Sequence, residues 1–209
     1  MIGTKERIWR TALDLFAQKG FEATSVSDLA GRLGLSKGAL YKHFADKRAI
    51  LDEITRQMAE QDSLAAQKYA VPEETFRANP ASYAHTELSQ AIAFTKAQFS
   101  FWALDEVGAK FRRLLIIEQY GSAEFAELYE NYLGRGPLLY MQDIFQTMIE
   151  QNKLAPAPAP RLAVEFYAPF MFLLSQHDRG RPFAECLAIL GDCLDSFAKR
   201  YAIKPNLDT

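Results

Sequence analysis

Two lysines, a tyrosine and a histidine stand within seven residues of one another in the stretch LSKGALYKHF (residues 35–44): Lys37, Tyr41, Lys42 and His43. Ammonium groups and a phenol suit the recognition of an anion or of an acceptor edge rather than the making of bonds. If residues 37–44 form a helix, the face can be calculated at about 100° per residue. Taking Leu40 and Phe44 as inward, Gly38 and Lys42 point most directly away, flanked by Ala39 and Tyr41. Lys37 falls in the first turn and His43 at the side. An outward face of Lys and Tyr with two tiny residues fits the major groove of DNA. The small residues let the backbone come close. Lys42 can reach a phosphate or a base acceptor, Tyr41 can donate to a phosphate, and Ala39 can touch a thymine methyl.

Such a face needs elements to project it. The first helix is expected over about residues 4–19, with Ile8, Ala12 and Phe16 repeating every four residues and Gly20 ending it. Ser25 and Asp28 form an S-x-x-D capping pattern for a second helix, whose Leu29, Ala30 and Leu33 share one apolar face. Gly34 supplies a left-handed turn residue, and Ser36 caps a third helix that buries Leu40 and Phe44. The result is a helix-turn-helix, broken abruptly so that its helices cross steeply. Asp46 caps a fourth helix, which runs past Ile50, Leu51 and Ile54 to about Tyr69.

With these residues in view, TSVSDLAGRLGLSKGALYKHFADKRAIL resembles the N-terminal DNA-binding segment of the tetracycline-repressor (TetR) family of bacterial transcriptional regulators. The resemblance covers about residues 4–55, and Asp46 stands where the family usually has Ser or Asn. It implies DNA contacts from Lys37, Tyr41, Lys42 and His43. It also implies phosphate contacts from Lys47 and, near the second helix, from Thr24, Ser25 and Ser27. Lys47 has independent support, since a cation at a helix N-terminus attracts phosphate.

Charge divides the chain in the same place. Residues 1–50 carry nine Lys/Arg against five Asp/Glu, and the remainder carries 15 against 21, so a basic head sits on an acidic body. The body reads as further helices near residues 80–104, 106–119, 123–151 (interrupted by GRGP), 161–177 and 183–202, with APAPAP (155–160) as an extended spacer. The fold class expected is all-α: a three-helix DNA-binding domain over residues 1–50 and a larger helical domain over 51–209.

In the last helix Phe183, Leu187, Leu190, Leu194, Phe197 and Tyr201 follow a heptad seam. The helix before it, with Phe166, Phe170 and Leu174, is apolar nearly all round. Two such helices serve either as the chain's own core or as a dimer interface. The resemblance favours the dimer, a four-helix bundle about a two-fold axis. The middle helices are rich in large aromatics, most of them expected in the core. The family places an inducer there, so the resemblance implies a small-molecule site. Its expected lining is Phe94, Gln98, Trp102, Ile117, Tyr120, Tyr140 and Tyr167.

Other classes fare badly. His43, His85 and His177 are scattered, with no metal-binding spacing, and there is no G-x-S-x-G, P-loop or Rossmann glycine pattern. No metal, cofactor or catalytic site is expected. Cys186 and Cys193, seven apart, lie roughly 10 Å from each other on one helix, too far for a disulfide within it. No apolar run would span a bilayer and no signal peptide opens the chain, so a cytoplasmic protein is expected. The expected partners are pseudo-palindromic double-stranded operator DNA, a second copy of the chain and a small-molecule effector. The competing reading is an all-helical enzyme or protein-interaction module with a vestigial head.

Overall fold

The computed structural model describes residues 3–73, 75 and 77–203. Eleven helices follow one another among them: α1 Thr4–Lys19, α2 Val26–Leu33, α3 Lys37–Tyr41, α4 Lys47–Tyr69, α5 Pro80–Ala84, α6 Leu88–Leu104, α7 Glu106–Glu118, α8 Ala123–Tyr132, α9 Arg135–Glu150, α10 Ala159–Asp178 and α11 Phe183–Tyr201. The all-α expectation holds. No strand forms among the described residues; the one isolated antiparallel bridge joins Leu154 to Ala202.

Several helix ends have a local chemical cause. Gly20 (φ 92°) and Gly34 (φ 68°) terminate α1 and α2 in the left-handed region that favours glycine. Asp46 caps α4 by accepting from the Ala49 amide at 2.7 Å, and Asp105 caps α7 by accepting from Val107 and Gly108. One expected helix is broken in two, and the interruption expected in another is a complete break. Residues 80–104 divide into α5 and α6, with Gln90 accepting from the Glu87 amide at the new start. Residues 123–151 divide at GRGP into α8 and α9. There the chain doubles back so closely that a Cβ on Gly136 would collide with the Asn131 carbonyl. The APAPAP spacer is tied to the end of α11, since the Ala155 amide donates to the Tyr201 carbonyl at 2.8 Å.

The contacts group into two compact units. The first comprises residues 1–62 and 104–129, the second 63–103 and 130–209. This grouping differs from a cut in the chain near residue 50: α7 and most of α8 belong with the head. In the first unit α1 packs against α2 and α7. Ile8, Ala12 and Phe16 of α1, Leu29 and Ala30 of α2, Leu40 of α3, Ile50, Leu51 and Ile54 of α4, and Phe111, Leu114 and Leu115 of α7 are all buried. Lys110 of α7 forms an ion pair with Asp14 of α1.

In the second unit α10 packs on α9 and α11. Its centre is a triangle of rings: Phe145 (α9), Phe166 (α10) and Phe197 (α11), with centroids 5.1–5.2 Å apart. This corrects the reading of the heptad seam. Phe166, Phe170, Leu174, Leu190, Leu194 and Phe197 are buried within the single chain. Phe99 of α6 stacks on Phe183 and meets Phe170 edge-on. Leu187 is half-buried. The partners the seam calls for come from α6, α9 and α10 of the same chain. What α10 leaves open is a different stripe, Val164, Ala168 and Phe172, spaced every four residues; Phe172 is 61% exposed.

Candidate nucleic-acid interface

The recognition segment is held from both ends. Ser25 and Asp28 form a reciprocal capping box at the start of α2: the Asp28 amide donates to Ser25 Oγ at 3.1 Å, and the Ser25 amide donates to Asp28 Oδ2 at 2.9 Å. That backbone bond, more than Lys19 nearby, keeps the Asp28 carboxyl below its ordinary range. After Gly34, the Leu35 amide returns to the Ala30 carbonyl at 2.9 Å, closing the turn. Ser36 then caps α3, accepting from the Ala39 amide at 3.1 Å.

The α3 helix is shorter than expected. It ends at Tyr41, with Lys42 and His43 in the turn that follows. Leu40 and Phe44 are buried as the calculated face requires, while Lys37, Gly38, Tyr41, Lys42 and His43 are exposed and Ala39 is half-buried. From Leu29 to Ala45 the charged residues are Arg32, Lys37 and Lys42, with no carboxylate among them. An exposed cationic face without a competing acid is suited to phosphate and base-edge acceptors.

The flanking residues divide. Ser25 and Ser27 are exposed, although the Ser25 hydroxyl also donates to Asp28 Oδ2 at 3.0 Å. Thr24 is corrected: it is fully buried, and its hydroxyl donates to the Gly20 carbonyl at 2.8 Å, so it braces the loop rather than facing outward. Lys47 turns inward in this structure. Its Nζ donates to the Phe21 carbonyl at 2.7 Å, lies 4.2 Å from the Phe21 ring centroid and is 3.6 Å from Glu22 Oε2.

Two residues emerge that spacing along the chain does not reveal. The Phe21 ring lies against Phe16 at 5.0 Å and Phe125 at 5.6 Å, and its amide donates to the Glu118 carboxylate at 2.8 Å. The partners are 97 residues apart, and no local pattern signals such a pairing.

The residues expected to line a small-molecule site are only partly brought together. Phe94, Gln98 and Trp102 recur every four residues on α6. Phe94 meets Tyr69 and Tyr140, whose hydroxyl donates to the Pro72 carbonyl. Trp102 lies against Tyr132, and the buried Tyr167 donates to the Leu133 carbonyl at 3.0 Å. Ile117 and Tyr120 are corrected: they are 50% and 89% exposed and belong to the first unit. Helix α7 turns Phe111, Leu114, Leu115 and Glu118 inward at the i, i+3, i+4, i+7 spacing, which leaves Ile117 and Tyr120 on the outer side. Among the described residues no group of three or more His, Cys, Asp and Glu is placed to hold a metal, and no helix is long and apolar enough to cross a membrane.

Comparisons with known proteins converge on the head. Residues 8–54 match the family model described as bacterial regulatory proteins, tetR family. The uncharacterized HTH-type transcriptional regulator YerO of Bacillus subtilis is 53% identical over 47 residues, 22% of this chain and 16% of that protein. The tetracycline repressor protein class C of Escherichia coli is 44% identical over 54 residues, 26% of this chain and 25% of that protein. The matches thus span about a quarter or less of these relatives' own length. The fold is similar over nearly the whole chain to SmeT in complex with triclosan: TM-score 0.70 at 18% identity, covering 99% of this chain and 94% of that one.

Proposed function

Because the chain belongs to the tetR family of bacterial regulatory proteins, we propose that it is a homodimeric, ligand-responsive transcriptional regulator. It acts as a repressor, released from its operator by a small apolar or aromatic effector. The observation that carries the DNA-binding part is the exposed, carboxylate-free face of Lys37, Tyr41, Lys42 and His43, pinned from behind by Leu40 and Phe44.

The second copy docks on the open stripe of α10, Val164, Ala168 and Phe172, in place of the heptad seam that the monomer has used. A two-fold axis brings this stripe against itself, as self-complementary dimer interfaces require. The dimer then sets its two recognition segments about 34–36 Å apart, to enter successive major grooves of a pseudo-palindromic operator.

The effector is received among Phe94, Gln98, Trp102, Tyr140 and Tyr167, an apolar setting with few polar groups. Helix α4 begins at Lys47 beside the recognition segment and ends at Tyr69, whose ring lies 6.3 Å from Phe94. It is a continuous path from effector to DNA. A gel-shift titration with the DNA flanking the chain's own gene tests the reading. The wild type retards that fragment against scrambled competitor, and Lys42→Ala does not. Equal retardation of both fragments by the wild type contradicts it.

A further inference from the structure

The Phe21 backbone is gripped at its N–H and at its carbonyl by opposite charges. The Glu118 carboxylate at the end of α7 accepts its N–H at 2.8 Å, and the Lys47 ammonium in the first turn of α4 donates to its carbonyl at 2.7 Å. Its ring is closed in by Phe16 of α1, Phe125 of α8 and the Lys47 ammonium. Phe21 is thereby touched by four helices, and Lys47 follows the recognition segment by only four residues. The neighbouring residue is adapted to the same contact. Gly20 has φ 92°, and a Cβ there would lie 2.5 Å from Glu118 Oε1. The next residue of α4 repeats the arrangement, since Arg48 pairs with Glu124 at the start of α8.

We propose that Glu118 is a positioning residue for DNA recognition: it holds Phe21, and through Phe21 and Lys47 it sets the recognition segment relative to α7 and α8. The α7–α8 pair is then a working part of the head. This inference rests on the regulator reading only for its DNA readout.

The test uses the full-length chain as wild type, Glu118→Ala, Glu118→Gln and Glu118→Asp. The amide oxygen of Gln still accepts the Phe21 N–H; Asp keeps the charge but draws it back by one methylene. Binding is followed by anisotropy on a duplex of about 30 base pairs selected by the wild type from a randomised pool, and on a scrambled duplex. Hydrogen exchange is followed on the free protein. With the Phe21 N–H left without its acceptor, Glu118→Ala binds the selected duplex about 10-fold more weakly, and Glu118→Gln stays within about threefold of wild type. Affinity for the scrambled duplex is unchanged. Exchange accelerates over residues 20–25 and 36–47 and not over 162–197. Glu118→Asp gives the same pattern at smaller size, and decides the matter if Glu118→Ala does not fold. Wild-type binding and exchange in Glu118→Ala and Glu118→Asp overturn the proposal, as does acceleration spread evenly through 162–197, which is a loss of global stability alone. If the wild type selects no duplex, the regulator reading fails, and the exchange pattern still decides the role of Glu118.

Discussion

Arg56, with Lys5 and Gln57, donates to the Glu53 carboxylate and holds its pKa down at about 2. An unfolded Glu titrates near about 4.3. The folded value is the lower one, so the stabilisation is complete above the unfolded pKa and is lost as pH falls towards about 2. Glu53→Gln is expected to flatten stability over that interval, read from urea midpoints at stepped pH; an unchanged acid limb would remove Glu53 from the account. The cluster matters to the interface because Lys5 also lies 5.5 Å from the ring centroid of Phe44, which pins the recognition segment. On the exposed side of that segment, Lys42→Ala and Tyr41→Ala are each expected to cost about 1–3 kcal/mol of DNA affinity per half-site, with unchanged helical circular dichroism. Folded variants that keep wild-type affinity would remove these two side chains from the interface. At this scale the sequence was informative where function follows local periodicity: Leu40 and Phe44 inward, Lys37, Tyr41 and Lys42 outward. The family resemblance misled at Thr24, whose buried hydroxyl turns back to the Gly20 carbonyl, and the sequence, in which Glu118 stands out only as a polar residue in an apolar stretch, did not give its remote partner.

Helix α11 illustrates the limit of a periodic pattern. A heptad seam says that a helix has an apolar partner along one side, not which chain supplies it. Here α9 and α10 supply it through Phe145 and Phe166. Leu190→Ala is therefore expected to lower the unfolding free energy by about 2–5 kcal/mol, measured by urea denaturation, as for any fully buried leucine. A loss below 1 kcal/mol would speak against its place in the core. The open stripe of α10 gives the contrasting variant. Phe172→Glu should leave the fold intact and yield monomers at micromolar concentration by sedimentation. If Phe172→Glu and the wild type sediment alike, the stripe is not a dimer surface. Helix α7 shows the same ambiguity at smaller scale: Ile117 and Tyr120 look like core residues by type, and only the direction of Leu114, Leu115 and Glu118 decides that they face outward.

For the whole molecule, helix content and the helix-turn-helix were legible because caps and turns are local chemistry. The grouping of residues 104–129 with the head was not, because it rests on contacts such as Lys110 with Asp14 that skip most of the chain. The chain passes from one unit to the other three times, within α4, at the end of α6 and within α8, so α4 is not the only stretch of chain that joins them. An effector coupled to DNA by about 1–3 kcal/mol weakens operator binding roughly 5- to 150-fold, and the operator must weaken effector binding by the same factor. Reciprocal titrations check this; a ligand bound equally well with and without operator is not an inducer.

The central claim is that two recognition segments of a dimer read DNA sequence. Selection of duplexes from a randomised pool by the full-length chain tests it most directly. The account predicts enrichment of an inverted repeat with half-site centres about 10–10.5 base pairs or a multiple apart, bound with two or more copies of the chain per duplex. It also predicts that Lys42→Ala abolishes the enrichment. A pool that remains random after repeated rounds with folded protein would contradict it.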